Sequence, residues 1–112
     1  FSAPVTLVDG VGDTDLLVVT MEQGLDMARA LGQNRMVLMR RHGCTIAAST
    51  LRQAAFIAVY SADNAKLQLA ARGELEYLSD GEIDASGGLL TMPIAMDRAW
   101  EYWSRRCGAL PA

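Results

Sequence analysis

The chain has 112 residues, a net charge of −3 at pH 7 and 51% hydrophobic residues. This length supports one domain with a modest core. An acidic balance without clustered Lys and Arg argues against a nucleic-acid or anionic-membrane surface, and no apolar run is long enough to span a bilayer.

The two cysteines, Cys44 and Cys107, have neither zinc-ribbon nor disulfide-framework spacing. This usage fits a reducing compartment, and no signal peptide is visible, so we expect a cytoplasmic protein. Because the chain starts at Phe1 without a methionine, we expect it to be the C-terminal part of something larger or the part that remains after processing.

Short extended elements are predicted before the first helix. An extended segment, a Gly/Asp turn and a strand buried on both faces are expected at residues 3–9, 9–13 and 16–20, respectively. Thr20 and Gln23 have capping-box spacing, which predicts a helix that ends at Gly32. Its apolar face is expected to comprise Leu25, Ala28 and Leu31.

A second buried strand is predicted at residues 36–39, and residues 45–48 either continue it or turn back alongside it. Thr50 and Gln53 predict the start of the longest helix, which should end at Gly73. Its small-residue stripe, expected to pack on a sheet, comprises Leu51, Ala54, Ala55, Ala58, Ala62, Ala65 and Leu69.

The last third of the chain predicts a polar connection at residues 76–88 and a final helix. Pro93 suits the first turn of this helix, and Gly108 should end it. The helix should bury some of Met96, Ala99, Trp100 and Trp103. The whole order of elements indicates an α/β domain.

The only histidine, His42, lies three residues after the end of the predicted strand at residues 36–39 and directly before Gly43. A lone histidine is more often a hydrogen-bonded structural residue, but a position at a strand end beside a glycine suits a ligand site. Catalytic zinc usually has three protein ligands, so a metal at His42 would need donors from residues absent here or from another subunit. Cys44 would share a face with His42 if the strand continued, although a buried, unreactive thiol is the expected role.

Arg40 and Arg41 allow two interpretations. They point to opposite sides of a strand end, one salt-bridged and one solvated, or one of them clamps a carboxylate or phosphate. The aromatic cluster at residues 100–103 (WEYW) could stack on a ligand, but such clusters more often belong to a core or a subunit interface.

The segment from Leu38 to Ala54, LMRRHGCTIAASTLRQA, resembles the region around the last metal-binding histidine of the class II aldolase/adducin family. The preceding DLLVVTMEQGLDMARALGQNRMV and the closing AVYSADNAKLQLAARGELEYLS and RAWEYWSRR are also similar to that family. One departure is Ala48, where the family usually has a glycine.

This resemblance implies a three-layer α/β/α domain with a central mixed or antiparallel sheet, of which residues 1–112 would be the C-terminal part. It implies that His42 is the third ligand of a divalent metal ion, zinc or manganese. The family's other two histidines and its acidic catalytic residue are expected outside this chain, so no catalytic residue is assigned within it.

LMRRHGC and NAKLQLAA look closer to the decarboxylase branch of the family. This implies a metal-dependent carbon–carbon lyase that decarboxylates a hydroxylated aromatic or pyridine (di)carboxylate through a stabilised enolate, with Arg41 binding a substrate carboxylate. The family also implies a homotetramer with inter-subunit sites, a small-molecule substrate, and neither nucleic-acid nor membrane partners. An aldolase or epimerase for a small hydroxy-carbonyl or sugar phosphate, and a non-catalytic adducin-like scaffold, remain alternatives.

Overall fold

The structure is a computed structural model that describes residues 6–8, 17–90 and 92–109. It shows a mixed α/β chain, which confirms the predicted class at this level. Its elements are β1 (Thr6–Val8), α1 (Met21–Leu31), β2 (Met36–Met39), β3 (Gly43–Ile46), α2 (Leu51–Ala70), α3 (Asp80–Leu90) and α4 (Pro93–Arg106). The chain divides after Ala47 into two compact units, which are described separately.

The first unit contains a three-stranded mixed sheet in the order β1-β2-β3 within the described residues. β1 and β2 are parallel, with Val8 opposite Met39, and α1 lies between them in the chain and contacts both. This is a βαβ arrangement. β3 pairs antiparallel with β2 and places Gly43 opposite Met39, so the chain turns back after β2.

Helix α1 begins at the predicted capping box. The amide of Gln23 donates to the Thr20 hydroxyl at 3.2 Å, and the amide of Thr20 donates to the Gln23 side chain at 2.9 Å. Gly32 ends the helix with φ +50°, and its amide bonds the carbonyl of Ala28. Both ends therefore agree with the prediction.

The predicted apolar face of α1 is wrong in part, because Leu25 and Ala28 are exposed. The half-buried Met27 instead faces the sheet, where its sulfur accepts a hydrogen bond from the Thr45 hydroxyl at 3.1 Å. The helix is thus rotated relative to the expected face.

The core of the first unit is formed by Met36 and Val37, and Val37 is fully buried. Burial of the whole 36–39 run was predicted, but Leu38 is 42% exposed. The predicted strand at 16–20 is also wrong over residues 17–20, which are exposed and form no strand. Residue 16, the 9–13 turn and the remainder of the 3–9 segment lie outside the described residues.

In the second unit, α2 begins where predicted. The amide of Gln53 donates to the Thr50 hydroxyl at 3.2 Å, but the Gln53 side chain accepts from the amide of Ser49 at 3.0 Å rather than from Thr50. The helix ends at Ala70, before the predicted stop at Gly73, because Ala71 is already extended. The N-terminal cap of α2 therefore involves Ser49 in addition to the predicted Thr50 and Gln53.

The core of the second unit lies between α2 and α4. Phe56 and Ile57 are buried, and the Phe56 ring lies 4.5 Å from Tyr60 and 6.4 Å from Trp103 between centroids. The predicted small-residue stripe is wrong for four of its seven members, which are exposed: Leu51, Ala62, Ala65 and Leu69. Phe56 and Ile57, and not the alanines, are the buried residues of this core.

Helix α3 replaces most of the predicted polar connection. It starts after Ser79, whose amide donates to the Glu82 carboxylate at 2.8 Å, while the amide of Glu82 donates to the Ser79 hydroxyl at 3.3 Å. These reciprocal bonds form a capping box. They lower the pKa of Glu82, chiefly through the bond from the Ser79 amide.

Helix α4 has the predicted start and end, with Pro93 in its first turn and Gly108 at φ +71° just beyond it. Arg52 of α2 bonds Asp97 of α4 at 2.6 Å and lies over the Trp100 ring at 5.8 Å. The side chains predicted to be partly buried are all half-buried: Met96, Ala99, Trp100 and Trp103. Within the described part of the chain, no helix is both long and apolar enough to cross a membrane.

Candidate functional site

The predicted site residues lie in the turn between β2 and β3. The last residue of β2, Met39, pairs with the first residue of β3, Gly43, so the loop consists of Arg40, Arg41 and His42. The amide of His42 donates to the carbonyl of Met39 at 3.2 Å, which closes a four-residue turn. The sequence predicted a strand end here, and the structure resolves it as a tight hairpin.

Arg41 has a left-handed backbone, with φ +60°, and is the only non-glycine residue with positive φ among the described residues. Positive φ at the third turn position is typical of a type II turn, which favours glycine or asparagine there. An arginine in this conformation costs about 1–2 kcal/mol. The turn therefore carries a side chain that its backbone geometry disfavours.

The side chains of Arg41 and His42 are both exposed. Neither makes a hydrogen bond or an ion pair with any part of the chain that the structure describes. The imidazole is therefore exposed and makes no hydrogen bond to the described residues, unlike the structural histidine considered as the alternative. Both of its nitrogens and the Arg41 guanidinium are available to a ligand.

Cys44 differs from its expected role. It is exposed and free, whereas a buried thiol was expected. It pairs with Leu38 across the hairpin, one residue past the turn, so His42 and Cys44 do not belong to one continuous strand. The expectation that His42 and Cys44 share one face of a continuous strand is therefore wrong.

The turn lies at the carboxyl ends of two parallel strands. Val8 ends β1 directly beside Met39, which ends β2, and the loop with His42 follows at this edge. In α/β sheets, ligands bind in the crevice outside the carboxyl ends of the strands. His42 and Arg41 therefore occupy the edge at which a ligand site is expected.

The donor set at this edge fits part of a divalent metal site. An exposed imidazole with a free nitrogen is a common ligand of zinc and related ions. No group of three or more His, Cys, Asp or Glu side chains that could hold a metal ion occurs among residues 6–8, 17–90 and 92–109. His42 could thus supply one ligand, and the others would have to come from elsewhere.

Two features of the site were not predicted. The left-handed conformation of Arg41 has no sequence signal, because neither glycine nor asparagine occupies that position. The alignment of the β1 and β2 ends depends on parallel pairing between segments about thirty residues apart, a register that a single sequence does not reveal.

Comparison with known families identifies the class of the chain. A family profile described as "Class II Aldolase and Adducin N-terminal domain" matches residues 3–69, which include the sheet, the hairpin turn and nearly all of α2. The protein is therefore class II aldolase-like or adducin-like.

The match covers more than half of the chain, and we conclude that the chain belongs to the class II aldolase and adducin family. This confirms the resemblance at the level of the family. A comparison with curated proteins gave no match. Members of this family generally use a divalent metal and act on small molecules, but the family also includes adducin, which is not an enzyme.

Proposed function

We propose that the protein is a divalent-metal-dependent carbon–carbon lyase that decarboxylates a hydroxylated aromatic or pyridine (di)carboxylate. The observation that carries this proposal is the exposed imidazole of His42, which has no partner among the described residues and lies at the carboxyl ends of two parallel strands. Family membership supports the metal, and the adjacent arginine supports an anionic substrate.

His42 would hold the metal through one ring nitrogen. The Met39–His42 hydrogen bond fixes the backbone of this residue, which limits the positions that its ring can adopt. When bound, the divalent ion supplies a Lewis acid that stabilises the negative charge developing on the substrate as a carbon–carbon bond breaks. The remaining ligands would come from residues outside the described ones or from a neighbouring subunit.

Arg41 would bind a substrate carboxylate. An arginine guanidinium is a planar cation whose parallel N–H donors match the two oxygens of a carboxylate. Since it has no partner among the described residues, binding a carboxylate would not break an existing ion pair. The strained backbone of Arg41 supports this role, because a side chain held at a conformational cost often serves a function.

The wider assembly belongs to the same proposal. We infer that residues 1–112 are the C-terminal part of a three-layer α/β/α domain and that the sites form between subunits of a homotetramer in the cytoplasm. The two exposed free cysteines are consistent with a reducing compartment. An inter-subunit site would also explain why a complete ligand set is not found within the described residues of one chain.

A substrate screen tests the proposed reaction. Purified protein incubated with zinc or manganese should release CO2 from a hydroxylated aromatic or pyridine carboxylate, and H42A should abolish this release. The control is C44S, which changes a nearby exposed side chain that is not a proposed ligand. Cleavage of a sugar phosphate without CO2 release would instead support the aldolase, and failure to bind any divalent ion would support the scaffold.

A further inference from the structure

Helices α2 and α4 enclose an open groove on the second unit, with a volume of about 520 Å³. α2 contributes Val59, Tyr60 and Asp63, and α4 contributes Arg98, Tyr102 and Trp103. This volume is typical of small-molecule sites, which are lined mainly by apolar and aromatic side chains with a few polar groups. None of these residues belongs to the hairpin turn that carries the proposed lyase site.

The groove exposes aromatic rings on a fixed base. Tyr60 and Tyr102 are 49% and 56% exposed, so part of each ring faces solvent. The Tyr60 ring is held by the buried Phe56, at 4.5 Å between centroids, and by Trp103 at 6.0 Å. The Tyr102 hydroxyl accepts a hydrogen bond from Arg106 at 2.8 Å. Both tyrosines are therefore positioned before a ligand binds, which lowers the entropy that binding costs.

The groove also contains one charge of each sign, and the two charges do not pair with each other. Arg98 makes no hydrogen bond or ion pair within the described residues. Asp63 bonds Lys66 of its own helix through Oδ1 at 3.0 Å, in an exposed position where such a pair is weak. Both charged groups are therefore available to a ligand.

Contacts between the two helices place these charges at opposite ends of the aromatic rings. Arg52, near the start of α2, bonds Asp97 of α4. Tyr60 contacts Trp103, and both lie further along their helices, so residue numbers rise in the same direction along α2 and α4. The basic residue of the groove precedes this ring contact in α4, and the acidic residue follows it in α2. At a rise of 1.5 Å per residue, the two backbone positions are separated along the helices by on the order of 10 Å.

We propose that this groove binds a linear zwitterion of the ω-amino acid type, in which an apolar spacer separates an ammonium group from a carboxylate. The carboxylate of the ligand pairs with the Arg98 guanidinium, whose N–H groups match its two oxygens. The ammonium group donates to the Asp63 carboxylate, whose second oxygen has no partner within the described residues. The spacer covers the tyrosine rings and is removed from water there.

The arrangement of charges selects this class over simpler ligands. A ligand with one charge leaves the opposite end of the groove unpaired. An α-amino acid carries both charges but is too short to span the rings between them.

An NMR titration with related probes tests the site. 6-Aminohexanoate should shift the signals of the groove residues. Its dissociation constant should be at least about fivefold lower than those of hexanoate and hexylamine, because each of these retains only one of its charges. Glycine, a zwitterion without a spacer, should not shift the same signals.

Neutralisation of each end of the groove should remove one contact only. D63N should weaken the binding of 6-aminohexanoate at least about fivefold and leave the affinity for hexanoate unchanged. R98Q should weaken it similarly and leave the affinity for hexylamine unchanged. The matched controls E74Q and R72Q neutralise exposed charges that do not line the groove and should have no effect.

Three results of these titrations would overturn the proposal. They are unshifted groove signals with 6-aminohexanoate, equal affinities for this probe and the two single-charge probes, and binding that neither D63N nor R98Q weakens. Groove signals that shift with protein concentration alone would also overturn it, because a second copy of the chain would then occupy the groove. Since none of these variants changes the hairpin turn, the metal and substrate proposals stand or fall separately.

Discussion

The backbone amide of His42 donates a hydrogen bond to the carbonyl oxygen of Met39 at 3.2 Å. This bond links the last residue of β2 to the only histidine of the chain and fixes the turn between them. The backbone of His42 is therefore held at the edge of the sheet. The left-handed conformation of Arg41, which lies within the turn, contributes to this placement.

Substitution of Arg41 should separate its side-chain role from its backbone role. R41A should lower kcat/KM about 10- to 100-fold, because it removes a charge-assisted hydrogen bond worth about 1.5–3 kcal/mol. R41G should show the same kinetic loss but should be more stable than R41A by about 1 kcal/mol, because glycine accepts φ +60° without steric strain. Steady-state kinetics and urea unfolding measure the two effects, and wild-type kinetics in R41A would remove Arg41 from the site.

Truncation of Phe56 should destabilise the second unit strongly. Its ring is 5% exposed and packs between α2 and α4. F56A should lower the free energy of unfolding by about 3–5 kcal/mol through lost burial and a residual cavity. V59A on the same helix removes a partly exposed side chain and should cost much less. Equal losses for the two variants in denaturant unfolding would contradict the assignment of the core.

The capping box of α3 predicts a pH dependence. Hydrogen bonds from Ser79 lower the pKa of Glu82 below its ordinary value of 4.5, so the folded state favours the carboxylate. A carboxylate with a lowered pKa stabilises the fold above its unfolded pKa, and this stabilisation is lost as the pH falls below 4.5 through the folded value. The protection factors of the α3 amides, taken relative to the intrinsic exchange rate at each pH, should therefore fall in this range.

E82Q and E82A separate titration from capping. The glutamine keeps an acceptor for the Ser79 amide but does not titrate, so E82Q should retain protection at a pH at which the wild type loses it. E82A should be poorly protected at both pH values. If wild type and E82Q have the same pH profile, Glu82 is not the titrating group.

The sequence was most informative where a local hydrogen bond decides the structure. The capping box at Thr20, the hydroxyl cap at Thr50, the proline at the start of α4 and the glycine after α1 all depend on residues within a few positions and were predicted correctly; only the second half of the predicted capping box at Thr50 was wrong. The α3 capping box has the same kind of signal, Ser79 followed by Glu82, but the glycines and acidic residues of this segment favoured a loop.

Features that depend on tertiary contacts were predicted less well. The run Leu17 to Val19 has high strand propensity but forms no strand, since propensity for strands depends on the packing context. The buried residues of α2 are Phe56 and Ile57, and Phe56 contacts Trp103 of α4, a contact that the alanine pattern concealed. For the site, His42 was found in the sequence, whereas the turn geometry around it required the structure.

The central claim is that His42 ligates a divalent metal ion. Elemental analysis of the purified protein should find zinc or manganese in the wild type and in C44S. In H42A the affinity for the ion should fall by more than about 100-fold, beyond the loss caused by residues that only hydrogen-bond a metal ligand. A wild-type protein without any divalent metal after equilibration with zinc and manganese, or an H42A protein that retains the full metal content, would contradict the claim.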